Sequence, residues 1–242
     1  FEISADYSKK INSDLTINVG ASFTFNKNTI KEQAEAPQLY ANTASTGHCY
    51  GQAFGYVADG FFQKSDDLNG DGIISAAEMQ QNGYPVQSFT TVYPGDVKYV
   101  DLTGDKIIDA NDRKAIGYST TAPDIYYNFH LGAEYKGIGL DAMFQGVGRW
   151  TGFMTTNGLY RSAVATNTLS QYLYENSWSA ERGNTESALF PRLSTTSNAN
   201  NDLNSTLNMF DRSYIKLRYV ELYYHLPKSL LNRLRVINNV KL

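Results

Sequence analysis

Apolar and polar residues alternate with a period of two over several long stretches. Phe1, Ile3, Ala5 and Tyr7 alternate with Glu2, Ser4 and Asp6. Leu15, Ile17, Val19, Ala21, Phe23 and Phe25 alternate with Thr16, Asn18, Gly20, Ser22 and Thr24. A period of two places alternate side chains on opposite faces of a strand, so both stretches read as β-strands joined by the polar link 8–14. A second pair is tighter. Ile125, Tyr127, Phe129, Leu131, Ala133 and Tyr135 share one phase, Lys136 and Gly137 supply a short turn, and Ile138, Leu140, Ala142 and Phe144 follow. Near the end, Ile215, Leu217 and Tyr219 share one phase and Val220, Leu222, Tyr224 and Leu226 the other. That slip near Tyr219 predicts a β-bulge. "PKSLLNRL" predicts one or two helical turns opened by Pro227, and "VINNVKL" a last strand.

The pattern predicts an all-β protein, with about six strands in three antiparallel hairpins. The hairpins lie in 1–26, 124–148 and 212–242, separated by long segments at 27–123 and 149–211. Connections inside hairpins are short and those between them long. Strands of about nine to eleven residues, short turns on one side and long loops on the other are the arrangement of a transmembrane β-barrel with long extracellular loops. Phe23, Phe25, Tyr127 and Tyr135 suit aromatic girdles at the membrane interfaces. The same alternation fits a secreted β-sandwich, in which the oily face packs on a second sheet.

Composition narrows the classes. The net charge of −3 supplies no basic field for nucleic acid. Charged residues make up 19% and aromatics 13%, with 18 Tyr, a charge-poor and Tyr-rich profile that suits barrels and sandwiches. A single cysteine, Cys49, excludes an internal disulfide. No apolar run of about 18 residues exists to form a membrane-spanning helix. The three histidines, His48, His130 and His225, stand far apart and no nucleophile–base motif accompanies them, so the chain does not read as an enzyme.

One local motif carries chemistry. "DDLNGDGIISAAEM" matches the EF-type calcium loop, with oxygen ligands at positions 1, 3, 5, 7, 9 and 12 and Gly at 6. These are Asp67, Asn69, Asp71, the Ile73 carbonyl, Ser75 and Glu78, with Gly72 at the sharp turn. A weaker copy offers Asp101, Thr103, Asp105, the Ile107 carbonyl, Asp109 and Asp112. There Lys106 replaces the turn glycine, which strains the backbone and sets a cation beside the site. Calcium would order these acidic segments, its binding energy serving as folding energy.

"PGDVKYVDLTGDKIIDANDRKAIG" resembles a signature of the SusC/RagA-type TonB-dependent outer-membrane transporters. "FGYVADGFFQ", "YKGIGLDAMFQG", "FPRLST" and "SYIKLRYVELYYHLPKSLL" resemble further stretches of that family, in the same order. Lys106 and Tyr223 depart from its pattern, each standing where the family has Gly. The resemblance implies a late barrel portion of a longer chain, with a plug domain and TonB contact upstream and closing strands downstream. It also implies outer-membrane import of oligosaccharides or peptides with a SusD-like surface lipoprotein as partner. His130, Asn128, Glu134, Asp141 and Gln145 would then face the lumen, and Tyr56, Phe61, Phe62, Trp150, Tyr160 and Trp178 are candidates to stack on sugars or to pack the loops. The alternative from the residues alone is a secreted, calcium-stabilised β-sandwich module that binds carbohydrate or acts as a scaffold.

Overall fold

A computed structural model describes residues 1–156, 160–161, 168–227, 231 and 240–242. The chain divides into two compact units. The first comprises Phe1–Lys27, Ala122–Trp150 and Arg212–Leu242, and the second Asn28–Thr121 and Thr151–Asp211. Among the described residues no helix is long and apolar enough to cross a membrane, which leaves β-barrel crossing open.

The first unit is one antiparallel sheet of five strands in sequential order. They are β1 (Glu2–Lys10), β2 (Leu15–Phe25), β3 (Ile125–Tyr135), β4 (Ile138–Gly148) and β5 (Tyr214–Tyr224). Strand β1 runs three residues further than its side chains announce. Ser8, Lys9 and Lys10 pair with Asn18, Ile17 and Thr16, so the backbone ladder extends the strand through residues whose side chains carry no apolar signal. The turn is then only 11–14, closed by Asn12 Oδ1, which accepts the N–H groups of Asp14 and Leu15. At Lys136 and Gly137 both φ angles are positive (51° and 85°), the handedness that a two-residue hairpin needs to match the strand twist. The bulge foreseen near Tyr219 lies at Arg218. Met143 faces Tyr219 while Phe144 faces Leu217, so the apolar phase passes from Leu217 to Val220 without leaving its face. The helical turns expected after Pro227 and most of the last strand lie outside the described residues. What is described there is a bridge from His225 to Lys241 and paired hydrogen bonds between Tyr224 and Leu242.

The second unit gathers the two long inter-hairpin segments around its own cores. One joins Tyr56, Phe61, Val97, Tyr99, Ile108 and Trp178, another Phe62, Ile74, Met79 and Val92, and a third Tyr160, Leu173 and Phe190. Short ribbons link them, pairing Ala58–Phe61 with Val97–Tyr99 and Val86–Gln87 with Ile107–Ile108. A buried polar knot holds the unit's centre. Asp96 Oδ1 accepts from Arg192 Nε (2.7 Å), Asn198 Nδ2 (2.9 Å) and Asn201 Nδ2 (2.9 Å), and its Oδ2 accepts from the Tyr93 N–H (2.9 Å). Asn201 Oδ1 returns a bond to the Val97 N–H, and Gln87 bridges Val97, Tyr99 and Asn200. Burial pushes the Asp96 carboxyl above the ordinary carboxylate range, and Arg192 and the asparagine amides pull it partly back.

A smaller tie closes the segment 35–46. The Glu35 carboxylate accepts from the Ser45 N–H, the Thr46 N–H and the Thr46 hydroxyl. These bonds lower its pKa from 4.5 to about 2. A depressed carboxylate stabilises the fold fully above its unfolded value and loses that contribution as pH falls through its folded one. The amide resonances of Ser45 and Thr46 are therefore expected to titrate together with a midpoint near 2 and to stay flat around 4.5. A midpoint at the ordinary value would show that the tie does not hold in solution.

Candidate functional site

The two acidic loops fold alike despite their different sequences. In the first, Asp67 Oδ1 accepts from the Gly70 N–H and Oδ2 from the Gly72 N–H, while Asp71 Oδ1 accepts from the Ile73 N–H. In the second, Asp101 accepts from Gly104 and Lys106, and Asp105 from Ile107, at the same positions. The last ligand closes each loop. Glu78 Oε1 accepts from Leu68 and Asn69 and its Oε2 from Ser75, as Asp112 does from Leu102, Thr103 and Asp109. Ser75 caps the helix α1 (Ala76–Gln81), with Glu78 reaching back in a capping box. The Ser75 hydroxyl and N–H hold the Glu78 carboxyl below its usual range, with the Asn69 and Leu68 N–H groups adding to them. Lys106 sits at φ 64°, beside 83° for Gly72, so the lysine adopts the left-handed turn at the cost its Cβ imposes.

The oxygen donors thus match calcium in type and order. Asp67 and Asp71 each keep lone pairs beyond the N–H groups they accept, since a carboxylate has about four acceptor sites. Glu78 and Asp112 are fully engaged by the loop itself. Among the described residues no three His, Cys, Asp or Glu side chains converge as a ready cluster. An ion would therefore take positions 1, 3, 5 and 7 first, and position 12 only by trading hydrogen bonds.

The large sheet has two chemically distinct faces. Register places Ser4, Asp6, Asn18, Ser22, Asn128, His130, Glu134, Asp141, Gln145, Lys216 and Glu221 on one. These groups bond across strands, as in Ser8 to Asn18, Asn128 to Ser22 and Tyr219 to Asp141, and His130 lies 3.8 Å from Asp6. The opposite face is apolar except for Lys9 at the end of β1, carrying Ile17, Val19, Leu131, Leu140, Ile215, Leu217, Val220 and Leu222. It is uncovered: Leu222 is 72% exposed, Ile215 57%, Leu140 52% and Leu131 49%. Phe23 and Tyr127 pair at one end of this band, and Tyr135, Ile138 and Tyr224 at the other. Strands of 11 residues span about 36 Å, or about 25 Å along the normal when tilted by about 45°, the height of a membrane barrel's apolar band. The sandwich alternative requires a second sheet on this face, and none lies on it among the described residues.

No family model matches the chain. A curated relative, a TonB-dependent receptor of Formosa agariphila, is 24% identical over 96% of this chain and 22% of its own length. Solved structures of the RagAB peptide transporter match with TM-score 0.62 at 21% identity, over 99% of this chain and 24% of theirs. The RagAB peptide importer in its closed-closed state matches with TM-score 0.63 at 20% identity. The chain has the SusC/RagA-type fold. It spans less than a quarter of the length of these relatives, which are named as a receptor and as peptide transporters.

Within this SusC/RagA-type fold the signature stretches serve as architecture. In "PGDVKY", Gly95 turns at φ 90° with its Cα against the Trp178 ring, and Asp96 is the hub of the polar knot. "FPRLST" delivers Arg192 to that hub. Five of the aromatics considered for sugar stacking, Tyr56, Phe61, Phe62, Tyr160 and Trp178, are buried in the cores and serve packing. The sixth, Trp150, is half-buried under the Arg212 guanidinium at 3.6 Å. Sequence reasoning missed the asparagines Asn198, Asn200, Asn201 and Asn208, all buried. Their density in "SNANNDLNSTLN" was the available signal.

Proposed function

We propose that this chain is part of the barrel and extracellular portion of a TonB-dependent outer-membrane importer of large nutrients, oligosaccharides or peptides, working with a SusD-like lipoprotein. The observation that carries the reading is the exposed apolar face backed by a hydrogen-bonded polar one. Water on both sides would leave large apolar side chains exposed on every strand, a patch that soluble monomers avoid. Lipid outside and a wet lumen inside account for both faces. His130, Asn128, Glu134, Asp141 and Gln145 then line the lumen. The residues 28–121 and 151–211 form the extracellular portion, where the vestibule and the lipoprotein contact lie. The names of the relatives support import.

The test uses the full-length protein. It is expected in the outer-membrane fraction, soluble only with detergent, and to run as a heat-modifiable band on a denaturing gel. Recovery as a detergent-free soluble protein would reject the importer.

Calcium is part of the proposal, held by Asp67, Asn69, Asp71, the Ile73 carbonyl, Ser75 and Glu78, and more weakly by Asp101, Thr103, Asp105, the Ile107 carbonyl, Asp109 and Asp112. It would supply charge compensation that tightens loops already closed by their own hydrogen bonds. Asp71→Ala removes the acceptor of the Ile73 N–H as well as a ligand. Residues 64–80 are expected to be cut several-fold faster by protease in this variant, and wild type with chelator to approach it. Wild-type proteolysis indifferent to chelator would leave the loop a hydrogen-bonded turn without an ion.

A further inference from the structure

Two arginines meet at a pocket of about 290 Å³ in the second unit, lined by Trp178, Ser179, Ala180, Glu181, Arg182, Arg192 and Leu193. Each guanidinium is fixed before any ligand arrives. Arg182 donates from Nη2 to the Ser177 carbonyl (3.1 Å) and hydroxyl (2.8 Å), and its Cζ lies 4.2 Å from the Tyr174 ring centroid. Ser177 is fully buried, and the turn that carries Arg182 is closed by reciprocal Ser179–Asn184 backbone bonds of 2.8 and 3.0 Å. Arg192 donates from Nε to Asp96 and lies 4.4 Å from the Tyr93 ring centroid. A planar guanidinium locked in this way loses little entropy on binding and offers its remaining N–H groups to a ligand.

The charges are not equivalent. Asp96 neutralises Arg192, whereas among the described residues no carboxylate forms an ion pair with Arg182. A single uncompensated guanidinium beside a second, positioning one suits a singly charged planar oxyanion. The rest of the wall narrows the choice. Trp178 and Leu193 are apolar, Ser179 offers a hydroxyl, and Glu181 offers an acceptor that would repel a bare anion but receives hydroxyl donors. The geometry points to a hexuronate unit of an acidic oligosaccharide, its carboxylate on Arg182, its ring hydroxyls on Ser179 and Glu181, and its C–H face against Leu193. That the pocket serves import rests on the importer reading. The binding itself rests on the pocket alone.

Binding to the full-length protein in detergent micelles is measured by calorimetry, with tetragalacturonate and its methyl ester as probes. Wild type is expected to bind the acid about tenfold more tightly than the ester, the effect of one charge-assisted hydrogen-bonded contact. This preference should shrink as salt rises. Arg182→Gln should equalise acid and ester without weakening the ester, while Arg182→Lys keeps most of the preference. Equal binding of acid and ester by wild type, or an undiminished preference in Arg182→Gln, overturns the site. A parallel pair, a tetrapeptide with a free C-terminus and its amide, addresses the ligand class. Acid preference for the peptide alone overturns the uronate assignment. Membrane insertion of the same samples is scored separately, so a protein that inserts and shows no acid preference rejects the pocket and not the importer.

Discussion

Asp96→Ala unfolds the second unit or leaves it marginal. The carboxylate is fully buried and accepts four hydrogen bonds, from Arg192, Asn198, Asn201 and Tyr93. Alanine strands all four donors, one of them a guanidinium. Breaking a buried ion pair from one side costs about 3–5 kcal/mol, a large fraction of the stability of an ordinary domain. Denaturant unfolding followed by Trp178 fluorescence is the measurement, with proteolysis of 28–121 as a second readout. The opposite truncation, Arg192→Met, is expected to cost less. Burial already pushes the Asp96 carboxyl up and Arg192 pulls it back, so without its cation the carboxyl pKa rises further. The sign follows from the raised folded pKa: the Arg192→Met protein is most stable at low pH and loses stability as pH rises through that pKa. Equal, pH-independent costs for the two variants would show that the knot is not an ion pair at all.

Leu131→Arg blocks membrane assembly. Leu131 lies mid-strand on the apolar face, paired with Val19 on one side and Ala142 on the other, and is 49% exposed. In water such a surface change costs within about 0.5 kcal/mol. At the midplane of a bilayer an arginine on the lipid face costs about 2–4 kcal/mol. The neighbouring substitution His130→Arg places the same charge on the polar face, where the proposed barrel has a wet lumen. The folded fraction of the full-length protein in lipid vesicles, read by heat-modifiability, is expected to fall steeply for Leu131→Arg and to stay near wild type for His130→Arg. Matching behaviour of the two variants would mean that the faces do not meet different media.

The large strands were legible in the chain because a strand's side-chain period leaves a direct trace. The alternation in Leu15–Phe25 and Ile125–Tyr135 predicted both strands, the Lys136–Gly137 turn followed from the positive φ that a two-residue hairpin requires, and the phase slip marked the bulge at Arg218. The acidic loops were legible for a similar reason. Ligand spacing is local, and even the strain at Lys106 could be foreseen from the residue alone. Strand ends were less so, since Ser8, Lys9 and Lys10 are held by a partner's backbone and not by their own side chains.

Two matters were settled by the tertiary structure. One is which reading of the alternation holds. A period of two is the same for a sandwich and a barrel, because it reports only that the faces differ, and among the described residues the structure shows the face of Leu131, Leu140 and Leu222 exposed with no second sheet over it. The other is the long segments between hairpins. Asp96 meets Arg192, Asn198 and Asn201 across about a hundred residues of chain, and the pocket at Arg182 depends on that meeting. No periodic pattern records such contacts, since a polar residue in a loop looks the same whether it faces water or closes a buried network. The sequence alone determined which segments become strands and which acidic bends close on their own carboxylates; the folded chain decided which faces stay bare and which distant polar groups are buried together.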